Sequence, residues 1–199
     1  MTVPTLLPAD GPLAEPGRLA ALHASGLLDA PPAEILERLT AAASCLLAVP
    51  VLLVSLVDDH RQWFAGMAGL TDWPARTRQT PLSYSFCQHV VTARAPLVVR
   101  DATEHLLVRD NLAVVELGVR AYAGVPLTTT QGLTLGAFCA ADLAPHDWQE
   151  REIELLRELA RVAMTEIERR IERGGGRAEE DRVALAVEGA GEGVWDWRV

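Results

Sequence analysis

Apolar positions recur along the chain with two periods, and these divide it into helices and strands. The strongest helical signal runs from Asp147 to Arg173, where Ile153, Leu156, Ala160, Ala163 and Ile167 follow at spacings of 3, 4, 3 and 4. Such spacing lines one stripe of a helix, and Glu152, Glu154, Arg157, Glu158, Arg161, Glu166, Glu168 and Arg169 surround it with charge. Gly174-Gly175-Gly176 is expected to end this helix, because glycine loses the most backbone freedom there. Val183 to Val187 then reads as a short helix, and Gly193 to Trp197 as the start of a strand. Nearer the N-terminus, Leu19, Leu22 and Leu27 mark a short helix from Glu15, closed by Gly26. A second helix opens at Pro31-Pro32, with Ile35, Leu39, Ala42, Ala43 and Leu46 as its expected apolar face.

Strand signals lie between these helices. Val51 to Val57 is a short β-branched run, Asp58-Asp59-His60-Arg61 is a polar turn, and Gln62 to Ala68 completes a hairpin. Tyr122 to Thr128 and Leu133 to Ala141 form a second hairpin around Gln131-Gly132, and Leu97 to Val99 is a short strand. Residues 71 to 84 carry Pro74 and Pro81 without a period and read as a long loop over the surface or a pocket. Residues 1 to 14 read as a flexible leader. Ser85-Phe86-Cys87-Gln88 fits a capping box, with the serine capping a helix to about Ala93 and the glutamine reaching back. Hairpins outnumber helical crossovers, so the class is α+β with a mostly antiparallel sheet.

Charge narrows the function. The chain has 18 basic residues against 27 acidic, a net charge of −9, and all 18 are arginine. A polyanion would be repelled, so nucleic acid is not an expected partner. Leu39 to Val57 is free of charge, but Pro50 and the change from Ala/Leu to valine divide it into helix and strand, so no membrane insertion is expected. Cys45, Cys87 and Cys139 form no CxxC pair and read as reduced thiols of a cytoplasmic protein.

Seven motifs in order carry a resemblance. They are Gly26-Leu27-Leu28-Asp29-Ala30-Pro31-Pro32; Val54-Ser55-Leu56-Val57-Asp58 with Arg61-Gln62-Trp63-Phe64; Ser85-Phe86-Cys87-Gln88-His89; Val99-Arg100-Asp101-Ala102; Arg109-Asp110-Asn111; Tyr122-Ala123-Gly124-Val125-Pro126-Leu127; and Leu135-Gly136-Ala137-Phe138-Cys139 with Asp142. From about Leu19 to Ala163 the sequence resembles the GAF domains of bacterial sensor proteins. The resemblance implies a central antiparallel sheet of about six strands flanked by helices, with the long C-terminal helix as a signalling element. Residues 182 to 199 resemble the opening of a PAS domain. The implied organisation is a leader over 1–14, a GAF domain over 15–163, a helical linker over 164–181 and a PAS beginning over 182–199. Such an arrangement is similar to the input half of sensor histidine kinases and diguanylate cyclases. It implies a regulatory module without catalysis of its own, in which downstream PAS and output domains receive the signal.

Candidate site residues follow. If a small-molecule ligand binds, the resemblance places it between the sheet and the segment from Thr71 to Val91, with Phe86, Cys87, His89, Tyr122 and Phe138 as the expected contacts. Without a ligand, Phe86, Tyr122 and Phe138, with Trp63 and Phe64, are expected in the core, since alternation in strands buries every second side chain. Cys87 is expected near a helix start, where a thiol is acidified, and it is expected to be the most reactive of the three. A thiol redox switch or redox enzyme centred on Cys87 is therefore the rival reading. His89 lies about 200° around the helix from it and cannot serve as its base. No cofactor is firmly implied: no metal-ligand spacing joins Cys87, His89, Asp101 and Cys139, and Gln88 separates Cys87 from His89 where bilin-binding relatives have the two adjacent. Asp58, Arg61, Asp101 and Asp142 are expected to cap turns. The first half of the stripe can pack on the sheet, while Ile167 and beyond are expected to meet another helix, giving a homodimer through Ile153, Leu156, Ala160, Ala163 and Ile167.

Overall fold

The computed structural model describes the backbone of residues 11–191 and the side-chain surroundings of residues 11–174. Its centre is a six-stranded antiparallel sheet in the order β3-β2-β1-β6-β5-β4. The strands are β1 (Val51–Val57), β2 (Arg61–Ala68), β3 (Gln79–Pro81), β4 (Leu97–Val99), β5 (Ala121–Thr128) and β6 (Thr134–Asp142). Both expected hairpins form, β1 with β2 and β5 with β6, and β1 pairs with β6 to join them.

Three helices, α1 (Pro16–Ala24), α2 (Glu34–Leu47) and α6 (Glu150–Gly191), cover one face. The other face carries α4 (Cys87–Ala93), with α3 (Asp72–Thr77), α5 (Leu112–Val115) and the loops around them. Alternation along the strands feeds both cores. Leu52, Val54 and Leu56 of β1 face the three-helix side, whereas Leu53 and Val57 face α4.

Four expectations change. The buried stripe of α2 is Leu36, Thr40, Ala43 and Leu47, one position on from the expected face, and Ile35 and Leu46 are exposed. Thr40 can be buried there because its hydroxyl donates to the Leu36 carbonyl at 3.2 Å and the Glu37 carbonyl at 2.9 Å. Residues 71–84 are not a plain loop but hold α3, β3 and a 3₁₀ turn over Leu82–Tyr84. The end of the leader, Pro12–Ala14, is a 3₁₀ turn that buries Leu13 in the α4-side core. Finally, α6 does not stop at the glycines but continues to Gly191. Gly174 serves close packing: a Cβ there would lie 2.3 Å from the Ala24 carbonyl oxygen at the end of α1. The strand expected from Gly193 to Trp197 lies outside the described residues.

The stripe of α6 has an occupant within the same chain. Ile153, Leu156, Ala160, Ala163 and Ile167 are all buried, in one cluster with Leu22 of α1 and the β5–β6 side chains. The helices packed against α6 are α1 and α2 of the same chain. These five residues are therefore not a free dimer face.

Candidate functional site

A cavity of about 270 Å³ lies between the sheet and the segment that holds α3, β3 and α4. Its floor is Leu53, Phe64, Tyr122 and Cys139, its near wall Phe86 and Cys87, and its far wall Ala113, Leu117 and Val119 around α5. Gln62 and Thr80 add amide and hydroxyl groups, and Tyr84, Glu116 and Asp72 also line it.

The near wall is held by polar contacts that begin at the capping box. The Ser85 hydroxyl accepts from the Gln88 N–H at 3.1 Å, which caps α4, and donates to Gln62 Oε1 at 2.7 Å. Gln62 Nε2 donates in turn to the Thr80 hydroxyl at 2.7 Å, so β2, β3 and α4 are tied together by buried side chains. Gln88 reaches back as expected, but to the Leu82 and Ser85 carbonyls at 2.6 and 2.8 Å rather than to the Ser85 N–H. At the cavity's edge the Tyr84 hydroxyl donates to the Glu116 carboxylate, and that bond raises the phenol's pKa.

The α4 turn brings Cys87 against β6. Its Sγ lies 3.6 Å from Cys139 Sγ, and the Tyr122 hydroxyl donates to Cys87 Sγ at 3.3 Å. Hydrogen bonding with Cys139, followed by Ser55 and Tyr122, holds the Cys87 thiol below its usual pKa against the opposing effect of burial. Cys139 moves the other way, well upward, through its hydrogen bond with Cys87 first and its burial second.

Of the expected contacts, Phe86, Cys87 and Tyr122 line the cavity, whereas His89 and Phe138 do not. Phe138 lies fully buried on the three-helix side, because alternation in β6 turns it away from its neighbour Cys139. His89, two residues beyond Cys87 on α4, is half-buried beside His105, and its pKa is lowered by burial first and by His105 second. Cys139 was the residue most worth finding: with Phe138 in the core, the same alternation sends it to the opposite face. Cys45 is the exposed thiol, so accessibility and acidity belong to different cysteines.

The turn aspartates behave as expected. Asp58 accepts from the His60 and Arg61 N–H groups at 2.9 and 2.7 Å, Asp101 from Thr103 N–H at 3.1 Å, and Asp142 from Ala144 N–H at 3.2 Å. Asp58, Asp59 and His60 also converge, but Asp58 is already engaged by the turn and by Arg61. Among the described residues, no helix is long and apolar enough to cross a membrane.

The comparisons agree with this architecture. A cyclic di-GMP phosphodiesterase of Pseudomonas aeruginosa is 37% identical over 155 residues, which cover 77% of this chain and 26% of that protein. The GAF domain of a Coxiella burnetii phosphoenolpyruvate-protein phosphotransferase superposes with a TM-score of 0.60 at 20% identity, covering 79% of this chain and 96% of that one. A domain of a putative two-component sensor histidine kinase from Sinorhizobium meliloti gives 0.54 at 22%, covering 75% and 95%. At these identities the two structures speak for the fold alone. The family model of the GAF domain matches residues 31–167, and the chain belongs to the GAF domain family.

Proposed function

We propose that this chain is a sensory input module whose cavity takes a small, largely apolar ligand and whose α6 carries the response to an enzymatic output of the histidine kinase or cyclic di-GMP class. The observation that supports this reading is the shared wall. β5 and β6 present Tyr122 and Cys139 to the cavity and, on their reverse, Ala123, Phe138 and Ala140 to the core under α6. The similarity to a cyclic di-GMP phosphodiesterase is consistent with a regulatory place beside such an enzyme. Residues 182–199 keep their reading as the start of a PAS domain next in line.

Pairing with a second copy then falls to the outward stripe of α6, where Val162 is 51% exposed and Leu155 and Leu159 are partly so. The test of the cavity is a filling variant. Ala113 lines the far wall, and Ala113→Phe is expected to abolish thermal stabilisation by small heteroaromatic compounds that stabilise the wild type. Equal stabilisation of both forms would overturn the site.

A further inference from the structure

We propose that Cys87 and Cys139 are a redox-active dithiol, which hydrogen peroxide entering through the cavity oxidises to a disulfide that staples α4 to β6. The two sulfurs come from positions 52 residues apart in sequence and lie 3.6 Å from each other, already in van der Waals contact. A disulfide closes that separation to about 2.05 Å. Both line the cavity, so a molecule of peroxide's size has a path to sulfurs that are otherwise buried. Cys45 sits on α2, across the sheet, and cannot compete for either partner.

Roles follow from the surroundings. Cys87 receives the Tyr122 hydroxyl hydrogen bond, which stabilises a thiolate there, so it is the nucleophile and Cys139 resolves. The Cys87 thiolate attacks one peroxide oxygen and the O–O bond breaks. Cys87 becomes a sulfenic acid, and the departing hydroxide takes a proton to leave as water. Cys139 then attacks the Cys87 sulfur, its proton goes to the leaving hydroxyl, and a second water departs as the S–S bond forms. Two thiols and one peroxide give one disulfide and two waters, and a dithiol reductant reverses the change. The oxidation does not rest on a ligand, because peroxide needs only the open cavity.

The experiment uses the full chain carrying Cys45→Ser, so that only the pair remains. Graded hydrogen peroxide is expected to remove two hydrogens from the intact mass and to take titratable thiols in denaturant from two to none. A single cross-linked peptide pair joining Cys87 to Cys139 should appear, and dithiothreitol should restore both thiols. In the further variant Cys139→Ala, dimedone should trap a sulfenic acid on Cys87, and Tyr122→Phe should slow its formation while the melt stays within a few degrees. Oxidation of Cys87 to a sulfinic acid with Cys139 still free would overturn the proposal. So would a pair that stays reduced at peroxide levels that oxidise exposed Cys45 in the wild type.

Discussion

Replacing Ile167 by alanine separates two roles for the distal half of α6. The side chain is fully buried in the cluster that α6 shares with α1 and the sheet. Three carbons removed cost about 2.4 kcal/mol in transfer alone at about 0.8 kcal/mol per methylene. The cavity left behind brings the total to about 3 kcal/mol, within the usual range for such truncations. In a domain of this size each kcal/mol moves the melting midpoint by roughly 2–4 °C, so the variant should melt about 6–12 °C below wild type. Ile167→Glu should be worse, because a second carboxylate would be buried next to Glu166, itself buried and paired with Arg169 and Arg170. Val162→Glu, on the outward stripe, should stay within about 0.5 kcal/mol of wild type. Circular dichroism melts and sedimentation velocity would be run on all three. Refutation would be an Ile167→Ala melt within 2 °C of wild type, accompanied by dissociation of a folded dimer, for then Ile167 would be a contact between copies.

Two further outcomes follow from particular contacts. Arg120 donates to Asp101 through Nε at 3.0 Å and through Nη2 at 2.6 Å, and these bonds, with those from Thr103, hold the carboxyl well below its ordinary 3.8. A depressed folded pKa adds stability that is complete above the unfolded value and fades as pH falls through it. Asp101→Asn should therefore melt below wild type by a constant gap above pH 5, and the gap should narrow toward pH 3; a gap independent of pH would refute the assignment. Phe138→Ala should cost about 3–5 kcal/mol, read in urea, because the ring fills the three-helix core. It should nevertheless leave the rate of peroxide oxidation at Cys87 unchanged, since Phe138 faces away from that sulfur.

The hairpins were legible because local pattern determines them: β1 runs from Val51 to Val57 with the limits that its valines and Pro50 imply. The face of α2 was not, because two stripes one residue apart are both periodic. The stripe through Ile35 and Leu46 is the more hydrophobic to the eye, yet the stripe through Thr40 is buried. A hydroxyl that bonds its own helix backbone costs little in a core, which hydropathy alone cannot register. Residues 71–84 hid α3 and β3 because elements of six and three residues are too short to show a period. The α6 stripe was read correctly as apolar, but a stripe does not name what covers it; α1 and the sheet do. The glycines at 174–176 signalled an end, whereas Gly174 answers a close approach that only the folded chain creates. The thiol pair joins an α4 start to a β6 interior, and no local rule connects positions so far apart.

The character of the wall between cavity and helix matters for how a signal could leave the site. Around Tyr122 and Cys139, β5 and β6 carry many small residues, with Ala137 and Ala141 on the cavity side and Ala123 and Ala140 facing the core under α6. Glycine also removes bulk between strands; a Cβ at Gly136 would meet the carbonyl oxygen of Ser55 on the neighbouring β1 at 2.0 Å. Long side chains absorb a displacement by changing rotamer, but alanine and glycine have no rotamer to change. At those positions a shift imposed on Tyr122 or Cys139 is passed to the strand backbones, and through them to Phe138 and the core under α6. Interiors at native density transmit such strain rather than damp it. The first rigid body on the far side is α6, whose buried stripe from Ile153 to Ile167 rests on the core that these strands build. Ligand binding and thiol oxidation would then act on the same two strands from the same side, so either would reach α6 through one mechanical route.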